Sequence, residues 1–364
     1  MQQTRVLVCD DSALMRQQLK KIIESDPEFC VVGAARDGND AVDKARDLRP
    51  DVVTMDINMP GIDGITALQL IVEEKIAPVV MVSSLTQQGA EATLQAMALG
   101  AFDYIAKPGG TVTANMSSVA REITRKLRAA TITGTLDRLS RPSADSQTRL
   151  VRAQQREVRG RTRRRSLASG IGYRAVAIGI STGGPKTLME VLPFIPADLN
   201  AAIFVVQHMP PTFTCSFAKR INDNCPMRCY ETEAGMRVEP NTIYLAKGGH
   251  HLTLFKKENN EILIRAPKRP EHLFIPSVDI MMESVLSVFG SDTVGVLMTG
   301  MGDDGANTMV KIREAEGATI AESQESAIVF GMPQEAINRG GAEVVAPSWD
   351  IAGEIIKAVG GGAF

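Results

Sequence analysis

Val176–Leu188 reads VAIGISTGGPKTL. An apolar run ends at Ile180, two hydroxyl residues and two glycines follow, and after Pro185 a helical pattern begins. That succession is strand, sharp turn, helix, the repeating unit of an α/β domain. It places Ser181 on the turn, in the pattern Gly179-Ile180-Ser181-Thr182-Gly183 that lifts a nucleophilic hydroxyl off a sheet edge. Glycine-rich turns before helices also bind phosphates. Spacing removes two such alternatives: no G-x-x-x-x-G-K-[ST] string occurs, and Ser181 stands where a dinucleotide fingerprint needs its second glycine. Turn and nucleophile both stay open on this stretch alone.

A serine nucleophile needs a base, and the base needs an orienting carboxylate. The chain has only four histidines, and all lie beyond Ser181. His208 ends the apolar run AAIFVVQH before Met209-Pro210-Pro211, so it is expected at the end of a strand beside that of Ser181. His250 and His251 lie in the turn-like KGGHH, where a hydrogen-bonding or loop role is expected, and His272 lies in the polar KRPEHLF. Asp303 and Asp304 follow VGVLMTGMG, and either could orient a histidine. Gly300, Gly302 and Gly305 around them would let backbone amides approach an oxyanion.

Upstream, the runs VLVC, CVVGAA, VVTM, PVVMVS and FDYIA alternate with amphipathic segments, and Ser117–Leu127 closes the series as a helix. Five β/α units predict a doubly wound parallel sheet. In such a sheet, residues past neighbouring strand ends meet in one crevice, which would gather Asp10, Asp11 and Asp56. Three carboxylates there repel one another unless a hard cation such as Mg²⁺ holds them. Ser83 and Lys107 end the fourth and fifth strands, where a hydroxyl and an ammonium could bind phosphoryl oxygens on Asp56. Asp11-Ser12 is expected to cap the first helix, and Pro60-Gly61 and Asp63-Gly64 to form tight turns.

At 364 residues two domains are expected, and a net charge of −2 gives no overall sign of a nucleic-acid or membrane binder. Charged residues interrupt the first apolar run, so no signal peptide is expected, and no apolar stretch reaches the length of a membrane span. The five cysteines form no framework and fit a reducing cytoplasm; Cys225 and Cys229 lack the further ligands of a zinc site. Between residues 129 and 168 Ser, Thr, Arg and Gln take over, with seven Arg against one Glu from Arg152 to Arg165. This stretch reads as a solvated linker. After Tyr173 the runs AVAIGI, AAIFVV, TIYLA, LTLF, EILIRA, VGVLM, ATIA and EVVA predict a second α/β domain with some antiparallel strands and a hairpin-like region near Gly248.

DD, MDINMPGIDG, SS and KP, each at a strand end, resemble the response-regulator receiver domain over residues 4–128. The resemblance implies a flavodoxin-like (βα)₅ fold, Asp56 as phosphoacceptor, and Asp10, Asp11 and the Asn58 carbonyl as further Mg²⁺ ligands. It also implies Ser83 and Tyr104 as switch residues and Lys107 as the invariant lysine. GISTGGP, QHMPPTFT, IPSVDIMM, LMTGMGDDGA and VFGMPQEA resemble the catalytic domain of the chemotaxis protein-glutamate methylesterase family over about residues 170–362. That resemblance implies Ser181 as nucleophile, His208 as base, Asp304 as its orienter, the Met301 amide as oxyanion donor and Thr182 as a support of the histidine. Phe274-Ile275 before PSVD, where the family often has a basic residue, and the long linker depart from the pattern.

The expected organisation is a receiver over 1–128, a linker over 129–168 and a methylesterase domain over 169–364. The expected activity is a phosphorylation-gated hydrolysis of glutamate methyl esters, and deamidation of glutamines, on chemoreceptors. A histidine kinase would be the phosphodonor, and the unphosphorylated receiver would cover the catalytic crevice. No cofactor is expected for the esterase step, no nucleic-acid partner and no membrane insertion. The rivals are a DNA-binding regulator using the arginine run, and a silent adaptor that binds receptors without catalysis.

Overall fold

Runs such as VLVC and AVAIGI carry no polar face and suit strands covered on both sides. In the computed structural model, which describes residues 3–84, 86–107, 116–131, 139 and 169–360, Val6–Cys9 are fully buried and the strand Arg174–Ile180 is buried along its whole length. The chain divides into two compact units, Met1–Arg141 and Pro142–Phe364. The division falls inside the stretch expected as linker. Its arginine run lies outside the described residues.

The first unit alternates β1 (Thr4–Cys9), α1 (Ala13–Ile23), β2 (Phe29–Ala35), α2 (Gly38–Leu48), β3 (Val52–Asp56), α3 (Gly64–Glu73), β4 (Val79–Ser83), α4 (Gln87–Ala98), β5 (Asp103–Ala106) and α5 (Met116–Ala130). The helix α5 runs three residues past Leu127. The sheet order is β2-β1-β3-β4-β5, all parallel. Winding reverses between β1 and β3, which opens a crevice at their carboxyl ends. Ser12 caps α1 by accepting the Met15 amide at 3.4 Å, and Asp63 caps α3 by accepting that of Thr66 at 2.8 Å. Gly64 allows the close turn after β3: a Cβ there would lie 1.8 Å from the Asp56 carbonyl oxygen.

The second unit contains β6 (Arg174–Ile180), α6 (Gly184–Val191), β7 (Ala201–Gln207), α7 (Pro211–Asn224), β8 (Arg228–Glu231), β9 (Thr242–Leu245), β10 (Thr253–Lys256), β11 (Ile262–Arg265) and α8 (Val278–Phe289). It continues with β12 (Thr293–Leu297), α9 (Ala306–Glu314), β13 (Ala318–Glu322), α10 (Met332–Asn338), β14 (Val344–Ala346) and α11 (Ser348–Gly360). Seven strands make one parallel sheet in the order β14-β13-β12-β6-β7-β9-β8. The winding turns around β6, so the ends of β12, β6 and β7 share a crevice.

The antiparallel element is β10–β11, which forms its own two-stranded sheet. The hairpin turn is therefore at Lys257–Glu261, downstream of Gly248. The Gly248 segment instead lies against Pro210-Pro211, so close that a Cβ would meet the Pro211 nitrogen at 2.5 Å. One strand, β8, has no apolar run to announce it. It is an edge strand of sequence RCYE, with Arg228 and Tyr230 exposed, and its register with β9 supplies what its composition lacks.

Candidate active site and phosphoacceptor crevice

Ser181 directly follows β6. Gly183, at φ 80°, reverses the chain, and the Gly184 amide donates to the Ser181 carbonyl at 2.8 Å to start α6. Gly184 packs closely on Gln207: a Cβ there would lie 1.9 Å from Gln207 Oε1, so any side chain would have to displace that amide. The Ser181 amide donates across to the Thr299 carbonyl beyond β12 at 2.9 Å. On the other side Gln207, the last residue of β7, donates through Nε2 to the carbonyls of Ser181 (2.9 Å) and His208 (3.2 Å). The elbow is thus fastened to both neighbouring strands.

His208 follows β7. Its Nδ1 is 3.1 Å from Ser181 Oγ and its Nε2 is 2.9 Å from Asp304 Oδ2. Three residues scattered over 124 positions meet because their strands are neighbours. Asp304 also accepts the Ser277 hydroxyl at 2.9 Å and the amides of Val278 and Asp279 at 2.8 and 2.9 Å. These donors belong to the first turn of α8, where unpaired amides favour an anion. Burial raises the Asp304 carboxyl, but His208 and the two amides outweigh it, so it titrates below its ordinary 3.8. An ionised Asp304 only accepts, which puts the His208 hydrogen on Nε2 and leaves the Nδ1 lone pair facing the serine hydroxyl.

The residue pattern alone left Asp303 and Asp304 open and the resemblance pointed to Asp304; in the fold it is Asp304 that meets His208. Asp303 is exposed and pairs with Arg339 Nη2 at 2.7 Å. Thr182 is buried, and its carbonyl accepts the Thr299 hydroxyl at 2.9 Å. Met301 follows Gly300, which has no room for a side chain beside Ser181: a Cβ would lie 2.8 Å from that of the serine.

In the first unit, Asp10 follows β1 and Asp56 ends β3, both buried. The Lys107 ammonium is 2.8 Å from Asp56 Oδ2 and 3.1 Å from Asp10 Oδ2. Carboxylate oxygens of Asp10, Asp11 and Asp56 lie within 4.8 Å of one another, a spacing and an all-oxygen donor set that suit a hard divalent cation. Burial pushes the Asp56 carboxyl up by more than Lys107 pulls it down. Burial also lowers Lys107, yet Asp56 and Asp10 hold it above its ordinary range. Ser83 is buried at the end of β4, and its hydroxyl accepts from Thr93 at 2.8 Å. Tyr104 is buried on β5 with Lys126 over its ring, and burial pushes its phenol well up. Asn58 is exposed two residues past Asp56.

Over 357 residues the chain is 57% identical to a protein-glutamate methylesterase/protein-glutamine glutaminase 3 of Syntrophomonas wolfei, spanning 98% of this chain and 99% of that protein. The chain belongs to the CheB methylesterase family. The family model described as CheB methylesterase matches residues 176–355, and that of the response regulator receiver domain matches 6–114. A protein-glutamate methylesterase/protein-glutamine glutaminase of Caldanaerobacter subterraneus is 48% identical over 98% of this chain and 96% of its own. The crystal structure of the Thermotoga maritima CheB methylesterase catalytic domain is similar at 37% identity, with a TM-score of 0.49, over 51% of this chain and 98% of that one. As a CheB-family enzyme, the chain joins a receiver domain to a carboxylic-ester hydrolase domain, both built on parallel α/β sheets.

The CheB fold also brings in residues that motif reasoning did not assign. Phe274, noted only as a departure, stacks on the His208 ring with centroids 4.2 Å apart and planes 11° apart. Ser277 both caps α8 and donates to Asp304. Glu322, fully buried at the end of β13, accepts the Thr299 amide and the Ser326 hydroxyl, each at 2.7 Å. Burial raises its carboxyl to about 7. Among the described residues no metal-type cluster forms around Cys225 and Cys229, which are free thiols that burial pushes up. Among the described residues, no helix is long and apolar enough to cross a membrane.

Proposed function

We propose that Ser181, His208 and Asp304 hydrolyse γ-glutamyl methyl esters on chemoreceptors, under control of phosphorylation at Asp56. The observation that carries this reading is the hydrogen-bonded line Ser181 Oγ, His208 Nδ1, His208 Nε2, Asp304 Oδ2 across three adjacent strand ends. His208 Nδ1 takes the serine proton as Oγ attacks the γ-carbonyl. The bond to the methoxy oxygen breaks, and His208 returns the proton to give methanol. Water then attacks the acyl-serine, giving its proton to His208, and Ser181 regains a proton as the glutamate leaves. A glutamine side chain would follow the same course with ammonia leaving. Asp304 stays ionised throughout and stabilises the imidazolium. The Met301 amide donates to no described group and is the candidate oxyanion donor. A silent adaptor would not need a base aligned on a buried serine.

In the receiver, Asp10, Asp11 and Asp56 would hold Mg²⁺, whose contribution is to neutralise charge during phosphoryl transfer from a histidine kinase. Phosphorylation would take Asp56 away from Lys107, leaving Lys107 and Ser83 to bind the new oxygens. A receiver domain closed by α5, a methylesterase domain from about residue 169 and a linker between them remain part of this reading.

The test is methanol release from methylated receptor membranes, with and without a small phosphodonor and Mg²⁺. Ser181→Ala should lose about 10⁴- to 10⁶-fold in kcat, and Asp56→Ala should lose the stimulation by phosphodonor. A Ser181→Ala protein as fast as wild type would end the catalytic assignment.

A further inference from the structure

We propose that His251 is a positioning residue for the catalytic pair: it clasps the segment 267–277, which holds Asp304 from below and the His208 ring from the side. The proposal rests on the reading of Ser181, His208 and Asp304 as the triad.

The sequence treats His250 and His251 alike. The structure does not. His250 is half-buried, with Nδ1 3.4 Å from the Gly248 carbonyl. His251 is 1% exposed and makes three bonds to one segment. Its amide donates to the Pro267 carbonyl at 2.8 Å. Its Nε2 lies 2.9 Å from the Pro270 carbonyl, and its Nδ1 lies 3.2 Å from the Ser277 amide nitrogen. A carbonyl only accepts and an amide N–H only donates, so one neutral tautomer satisfies both, with hydrogen on Nε2.

The segment needs such a fastener. Pro267, Pro270 and Pro276 carry no N–H and cannot build a ladder of backbone bonds. His251 reaches its start, middle and end. Two of the residues so held touch the triad. Ser277, whose amide His251 accepts, sends its hydroxyl to Asp304 Oδ1 and opens α8, whose amides complete the aspartate's shell. Phe274, between the two ring contacts of His251, lies flat on His208. His272 packs edge-on to His251 at 6.4 Å and accepts the Phe274 amide at 3.2 Å, which ties the same segment inward. Displacement of this segment shifts the base and its orienter together, and misplacement of about 1 Å near a reacting centre can cost roughly 100-fold.

The experiment uses the full chain. With four histidines, ¹⁵N-histidine labelling gives a spectrum in which each ring can be assigned. In wild type, His251 should be the neutral Nε2–H tautomer with Nδ1 accepting, and the His208 Nε2 proton should resonate far downfield. A His251 found as the Nδ1–H tautomer would overturn the proposal without any variant. His251→Phe should lower kcat for methanol release by about 10- to 100-fold, with KM within twofold and the His208 downfield proton lost or shifted. His251→Gln, which keeps one donor and one acceptor at similar separation, should restore that proton and most of kcat. His250→Ala should match wild type. A folded His251→Phe that keeps both kcat and the His208 signal would also overturn it. These outcomes are separable from failure of the triad itself, which would leave Ser181→Ala active whatever happens at His251.

Discussion

Asp56 and Asp304 are the same residue type at the mouths of two parallel sheets, each buried, yet the two crevices treat the charge in opposite ways. Asp56 receives the Ile57 amide and the Lys107 ammonium, while Asp10 presses a second carboxylate toward it, and its carboxyl stands above the ordinary range. Asp304 receives a ring N–H, a hydroxyl and two amides and stands below it. Donor count decides the difference, because burial alone would raise both. An under-satisfied carboxylate retains affinity for a cation and a phosphoryl group. A saturated one is a fixed anion, suited to orienting a neighbour.

The same substitution in both crevices gives the sharpest way to break this comparison. Asp304→Asn should drop kcat by about 10⁴-fold, because the amide no longer dictates the His208 tautomer. It should also cost about 3 kcal/mol of stability at neutral pH, because donors that served an anion are left unpaired. The Asp304 carboxyl is depressed on folding, so its contribution is full above the ordinary value of 3.8 and is lost as pH falls through the folded value. Urea unfolding across the acid range should therefore show a limb in wild type that the variant lacks. Asp56→Asn should do the reverse to stability. The Asp56 carboxyl is raised on folding, so its effect favours the folded state most below its ordinary range and declines as pH rises. Asp56→Asn should be at least as stable as wild type at neutral pH while losing all response to phosphodonor. If both variants are destabilised equally, donor count is the wrong explanation.

Glu322 extends the comparison to a carboxyl with two good donors but full burial. Its carboxyl rises from 4.5 to about 7, so stability should decline between those pH values and Glu322→Gln should remove the decline. The gain at alkaline pH is bounded at about 3 kcal/mol, one pKa unit being about 1.4 kcal/mol. Matched denaturation curves on either side of neutrality would read it. The smallest expected effect is at Phe274. Phe274→Leu keeps the apolar cover over His208 but loses the flat stack, and should lower kcat about two- to tenfold at unchanged KM.

The residues proposed to carry the chemistry could be placed from sequence because strand-end motifs fix both their type and their position. Asp10, Asp56, Ser181, His208 and Asp304 each follow an apolar run, and the order of the strands did the rest. The residues that hold them were not legible. Ser277 reaches Asp304 across 27 positions, and His251 reaches Ser277 across 26. Neither contact leaves a periodic trace. Phe274 registered as a missing basic residue, since stacking on a ring imposes no spacing. The edge strand β8 escaped because half of it faces solvent, and the hairpin was expected too early because the glycines at 248 and 249 serve a close approach to Pro210-Pro211.

The hairpin β10–β11 stands apart from the seven-stranded sheet yet is not detached from it. Leu254, Ile262 and Ile264 share a core with Val278, Met281 and Met282 of α8, and the Leu254 amide donates to the Ser284 hydroxyl at 2.7 Å. The exposed turn around Asn259-Asn260 therefore offers a handle: a fluorophore attached there would ride on the helix whose first turn grips Asp304.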